Sequence, residues 1–152
     1  MHFRFKPLGT LYFLALALTG TALHAQDEPK TPLAQKMTAM NTAFKLVGRQ
    51  IEDASRNAST LEQLTIIETN AKGALTLEPE KKGQVPADEQ AKFVAAYQTE
   101  MKDFLTLVTK LRTTLKAGNN VEATALFDSL KNQQRDAHKE FRIKKAGAPP
   151  GV

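Results

Sequence analysis

The sequence has no cysteine, no tryptophan and only three histidines in 152 residues. Without thiols there are no disulfides, no thiolate-held metals and no thioether attachment of a cofactor. No segment alternates β-branched and polar residues in the manner of a strand. There is no H-E-x-x-H motif, no glycine-rich phosphate loop and no nucleophile turn around which a Ser/His/Asp set would be built. These gaps argue against an enzyme. Charge of one sign is not massed anywhere: basic and acidic residues interleave, so a solvated surface accounts for most of them. Nucleic acid is not an expected partner.

One long apolar run is present. "LGTLYFLALALTGTA" at 8–22 follows a basic start containing His2, Arg4 and Lys6, and "ALHA" places Ala25 before a cut near Gln26. A run this short, followed by polar sequence, reads as a secretory signal rather than an anchor. A leucine at the −3 position leaves the cut open by a few residues. The expected organisation is a signal peptide over 1–25 and one domain over 26–152, with a disordered tail over about 145–152. The destination is the periplasm if the cell is Gram-negative, with no stable membrane insertion after cleavage. Export removes Arg4 and Lys6, taking the net charge from +5 to +3, and also removes His2 and His24. His138 is then the single histidine of the mature chain. An exported domain that forgoes disulfides must be held by packing, helped by anything it binds.

Four segments carry helical periodicity. Thr31-Pro32 is an N-cap followed by proline at the first helical position. The stripe Leu33, Met37, Met40, Phe44, Val47 and Ile51 then repeats at spacings of three and four, and the helix should end near Asp53 or Ala54. Gly48 reads as a solvent-side interruption. Ser59 to Glu62 forms an S-x-x-E box that should open the second helix, which buries Leu61, Leu64, Ile67, Ala71, Ala74 and Leu75. "EPEKKGQVP" at 78–86 is the longest connector. The third helix, about Ala87–Ala117, buries Phe93, Tyr97 (or Val94), Met101, Phe104, Leu105, Val108, Leu111 and Leu115, and Gly118 stops it. The fourth, roughly Asn120–Lys144, buries Ala123, Leu126 or Phe127, Leu130, Ala137, His138 and Phe141. Four amphipathic helices with short connections favour an all-α, antiparallel up-down-up-down four-helix bundle, expected to be a monomer.

In that bundle the start of helix one and the end of helix four share one end of the molecule. Met37 lies about six residues inside the first and His138 about six from the last residue of the fourth, each roughly 9 Å from that end. A thioether and an imidazole at matched heights on inward stripes can hold a haem iron from opposite sides. Met40, one turn deeper, is the rival sulfur and is assigned to packing. Tyr97 and Met101, with Leu64 and Ile67, are the expected walls of the pocket.

The segments "LAQKMTAMNTAFKLV" at 33–47 and "LKNQQRDAHKEFR" at 130–142 resemble the first and last helices of the cytochrome b562 family. The resemblance extends over about Leu33–Arg142 and is most specific at its two ends. It implies non-covalent haem b held by Met37 and His138, and an electron carrier serving an unknown periplasmic redox partner. One position departs from the family pattern: Gln134 stands where an arginine suited to a haem propionate is usual, and Arg135 is turned about 100° round the helix. Relatives with covalent haem need cysteines at the positions of Gln134 and Ala137, so such attachment is excluded here. The other reading of the same bundle is a haem-free periplasmic binding or chaperone-like module.

Overall fold

The computed structural model describes residues 30–143. The expected signal peptide over 1–25, its cleavage point and the tail over 145–152 lie outside the described residues. Four α-helices are found, with no strand among the described residues: α1 Pro32–Gln50, α2 Asn57–Ala74, α3 Gln90–Lys116 and α4 Asn120–Phe141. A short 3₁₀ helix precedes α2 at Ala54–Arg56, and another, Glu80–Gln84, bridges α2 to α3. None of the described helices is long and apolar enough to cross a membrane.

Hydrogen bonds at the two ends establish the antiparallel order. At one end the Tyr97 hydroxyl of α3 donates to the Ala74 carbonyl at the close of α2 (3.2 Å). There Lys81 of the bridge also donates to the Glu140 carbonyl of α4, and Thr31 at the head of α1 donates to Glu80 (2.8 Å). At the far end Asn120 of α4 exchanges amide bonds with Asn57 of α2 (3.1 and 2.8 Å) and donates to the Ile51 carbonyl after α1 (2.6 Å). Up, down, up, down is the resulting path. Of the four neighbouring pairs, α1 and α4 come together least closely along their backbones.

The helix boundaries reflect local chemistry. Thr31 caps α1 by accepting from the Ala34 N–H (3.2 Å), with Pro32 at the first helical position, as the sequence leads one to expect. Gly118, at φ 77°, ends α3 in a left-handed residue, with the Gly118 N–H bonded to Leu115 O and the Asn119 N–H to Thr114 O. That double closure satisfies carbonyls the helix would otherwise strand. Asn119 then caps α4 through the Glu122 N–H (3.2 Å). Other boundaries differ from the sequence reading. Helix α1 stops at Gln50, α3 starts at Gln90, and α4 ends at Phe141, where Arg142 turns extended. Ser59 is not a cap; it lies inside α2. Asp53 performs that task one step earlier by accepting from the Ser55 N–H and hydroxyl (3.0 and 2.6 Å), which starts the 3₁₀ turn that runs into α2.

Two apolar clusters fill the bundle. The distal one gathers Phe44, Val47 and Ile51 of α1, Leu64 and Ile67 of α2, Val108, Leu111 and Leu115 of α3, and Leu126, Phe127 and Leu130 of α4. Each fully buried Leu or Ile there contributes about 1.5–3 kcal/mol of burial free energy. The second cluster, at the end where α1 starts, is smaller: Met40, Ala71, Ala74, Tyr97 and Met101, with Met37, Leu33, Phe104 and Phe141 against it. There the buried residues of α2 are alanines, with Leu75 at its close packed against them. Gly48 is not a plain solvent position either, because a Cβ there would lie 3.0 Å from the Phe127 ring. The missing side chain lets α4 lay its phenyl group across α1, where it meets Phe44 at 4.6 Å between centroids. Of the α4 residues expected inside, Ala137 and Phe141 are half-buried and His138 is exposed.

Candidate functional site

The end where α1 starts holds a cavity of about 730 Å³, inside the roughly 300–1,000 Å³ span of cofactor pockets. It lies between α1, α3 and α4, under the Glu80 bridge. Ala71 and Ala74 of α2 belong to the apolar cluster behind it, with Met40, Tyr97 and Met101. Tyr97 and Met101 of α3 form the floor with Phe44 and Phe104. Phe141 closes the α4 side, 5.3 Å from Phe93 and 5.6 Å edge-on from Tyr97.

Met37 and His138 both line this cavity, one from α1 and one from α4. Met37 is half-buried and His138 is open through the mouth. Among the described residues the imidazole makes no hydrogen bond, so its ring nitrogens are uncommitted. Surrounding protein nevertheless shields the ring: burial lowers its pKa first, and the nearby Arg142 guanidinium adds to the effect. A neutral imidazole, the form that ligates metal, is thereby favoured. Tyr97 is held in the opposite sense, with burial pushing its phenol up to about 12. It stays a neutral hydroxyl bonded to α2.

Met40 also lines the cavity and is the more buried sulfur, at 8% exposure. The register of α1 on α4 separates the two methionines. Phe44 and Phe127 pack ring against ring across the seam, tilted by 38°. Counting outward from them, His138 stands eleven residues along α4, Met37 seven along α1 and Met40 four. Met37 therefore starts about 6 Å short of the histidine's height and Met40 about 10 Å. Helix side chains lean toward their own N-terminus. In antiparallel helices Met37 accordingly leans outward and His138 inward, which narrows the smaller gap.

Leu64 and Ile67 do not line the cavity. They are 0% and 1% exposed in the distal cluster. Helix α2 runs toward the cavity end, so its residues at cavity height are the later Ala71 and Ala74. The sequence reading had chosen the correct face of α2 but residues two turns too low. Cavity groups it did not name include Leu33, Lys30, Arg142 and Gln133. The Gln133 amide is part of a polar flank: it donates to the Glu100 carbonyl (3.5 Å), while its buried oxygen has no partner. No group of three or more His, Asp or Glu side chains placed to hold a metal ion occurs among the described residues.

An antiparallel four-helix bundle, with a cofactor-sized apolar cavity at one end and a methionine and a histidine among its lining residues, has the frame of a helical cytochrome. The chain belongs to the cytochrome b562 family, whose sequence profile, described as Cytochrome b562, matches residues 32–142. That span takes in all four helices. No curated protein is similar enough in sequence to count as a relative.

Proposed function

We propose that this protein is a periplasmic electron carrier that binds one haem b without covalent attachment, with Met37 and His138 as axial ligands. The observation that carries the reading is that these two side chains line one cavity from opposing helices at one end of the bundle. Haem held by Met37 and His138 would supply reversible one-electron chemistry rather than substrate binding at iron. The Met37 thioether favours the reduced form and raises the potential. His138 is ready to ligate because burial disfavours its protonated state. Tyr97, Met101 and Phe104 exclude water from the inner face.

At the mouth, Lys30 and Arg142 are cationic cavity residues suited to carboxylate groups. They supply the charge that Gln134, itself a neutral member of the lining, does not. Rigidity serves the carrier role: a packed distal core and a tied α2–α3 bridge leave little to rearrange between oxidation states. The redox partner is a periplasmic protein that docks where the cavity opens to solvent. Titration of ferric haem into the mature chain should give a one-to-one complex with a low-spin reduced spectrum. His138→Ala should abolish the low-spin form, and an unchanged spectrum in that variant would refute the ligand assignment.

A further inference from the structure

The α1–α4 seam is the loosest in the bundle, yet the two proposed iron ligands sit on its two sides. What fixes their separation? At the far end the answer is direct: Asn120 of α4 is bonded to the Ile51 carbonyl and to Asn57. At the cavity end no hydrogen bond or ion pair joins α1 to α4 among the described residues. The polar ties there run through the Glu80–Gln84 bridge.

Two adjacent residues of that bridge face the two helices. The Glu80 carboxylate accepts from the Thr31 hydroxyl (2.8 Å), which itself caps α1 through the Ala34 N–H. The Lys81 ammonium donates to the Glu140 carbonyl and reaches the Lys139 carbonyl at 3.5 Å. These are carbonyls in the last turn of α4, where intrahelical partners run out. The charges match the helix ends they meet, the acid at the N-terminus of α1 and the base at the C-terminus of α4. Such an alternation is what an antiparallel pair demands of one short connector.

We infer that Glu80 and Lys81 act as a positioning clip that sets the Met37–His138 spacing by tying the α1 N-terminus and the α4 C-terminus to one rigid turn. This inference rests on the haem reading for its purpose, although the clip itself is made by the protein's own contacts. Neither residue is an iron ligand. Each acts through the helix that it holds.

The test uses spin labels at Gln35→Cys and Glu140→Cys in the mature chain, which has no other cysteine to label. Distances across the seam are measured in the parent and in Lys81→Met, Lys81→Arg and Glu80→Ala, with helix content checked for each. The parent and Lys81→Arg should give one narrow distribution. Lys81→Met and Glu80→Ala should shift it longer and broaden it. With haem added, those two variants should bind about twofold to fivefold more weakly, the worth of one charge–dipole contact, with a smaller low-spin share. Parent-like distances in both would overturn the clip. Lengthened distances with unaltered ligation would overturn its positioning role. A parent that takes up no haem would instead refute the proposed function, while the apo distances still judge the clip.

Discussion

Two glycines in this bundle should respond in opposite directions to the same substitution. Alanine is favoured over glycine inside a helix by about 1 kcal/mol. At Gly73, near the end of α2, the nearest atoms to a new Cβ all belong to Lys36: Cε and Nζ (both 2.7 Å) and Cδ (3.2 Å). Those atoms are the far end of a flexible side chain and can swing away. Gly73→Ala should therefore stabilise by roughly 0.5–1 kcal/mol, the lower figure allowing for its place in the last turn. At Gly48 the Cβ meets the Phe127 ring at 3.0 and 3.3 Å. That ring is 3% exposed and packed tilted against Phe44, so displacing it disturbs the core. Overpacking costs about 1–3 kcal/mol, which outweighs the propensity gain. Gly48→Ala should leave stability unchanged at best and lower it by up to about 2 kcal/mol. It should also widen the seam that separates Met37 from His138, and so weaken haem uptake. Urea unfolding of the two variants beside the parent measures the signs. A stabilisation at Gly48 equal to that at Gly73 would refute the claim that α1 and α4 meet through this glycine.

Ile67→Ala should cost about 2–5 kcal/mol, since the side chain is fully buried in the distal cluster. Because Ile67 does not line the cavity, the haem spectrum per folded molecule should match the parent, and a lost ligand signature would place it closer to the site. Acid stability should depend on Glu68. Its carboxyl is held below the usual range chiefly by the Lys72 hydrogen bond, with Arg112 assisting. Unfolding raises that pKa, so the unfolded chain binds more protons as pH falls, and the contribution is full above pH 4.5 and lost below it. Glu68→Gln should thus lower stability by about 0.5–1 kcal/mol at neutral pH, with the gap closing in denaturation series taken to pH 3 or so.

Much of this molecule was legible because helical periodicity reports which face is buried. The α1 stripe from Leu33 to Ile51 and the α4 positions Ala123, Leu126, Phe127 and Leu130 were readable that way, and the bundle follows from them. Height along the axis is less directly encoded, since it depends on how neighbouring helices are staggered. That is why Leu64 and Ile67 were expected at the cavity, when they lie in the distal cluster and α1, α3 and α4 line it. Helix ends were also displaced, because Asp53 outcompetes Ser59 as a cap and Arg142 leaves the helix before Lys144. Long-range ties such as Lys81 to the α4 carbonyls have no sequence signal, being made between residues nearly sixty positions apart. Gly48 looked like a solvent gap because pattern alone does not reveal an aromatic ring approaching from another helix.

The most direct test of the account separates the two sulfurs. Met37→Leu and Met40→Leu are each reconstituted with haem, and the absorption spectra of the oxidised and reduced forms are compared with the parent. The account predicts that Met37→Leu loses the six-coordinate low-spin signature while Met40→Leu keeps it. Retention in Met37→Leu with loss in Met40→Leu, or retention in both, would contradict the pairing of Met37 with His138.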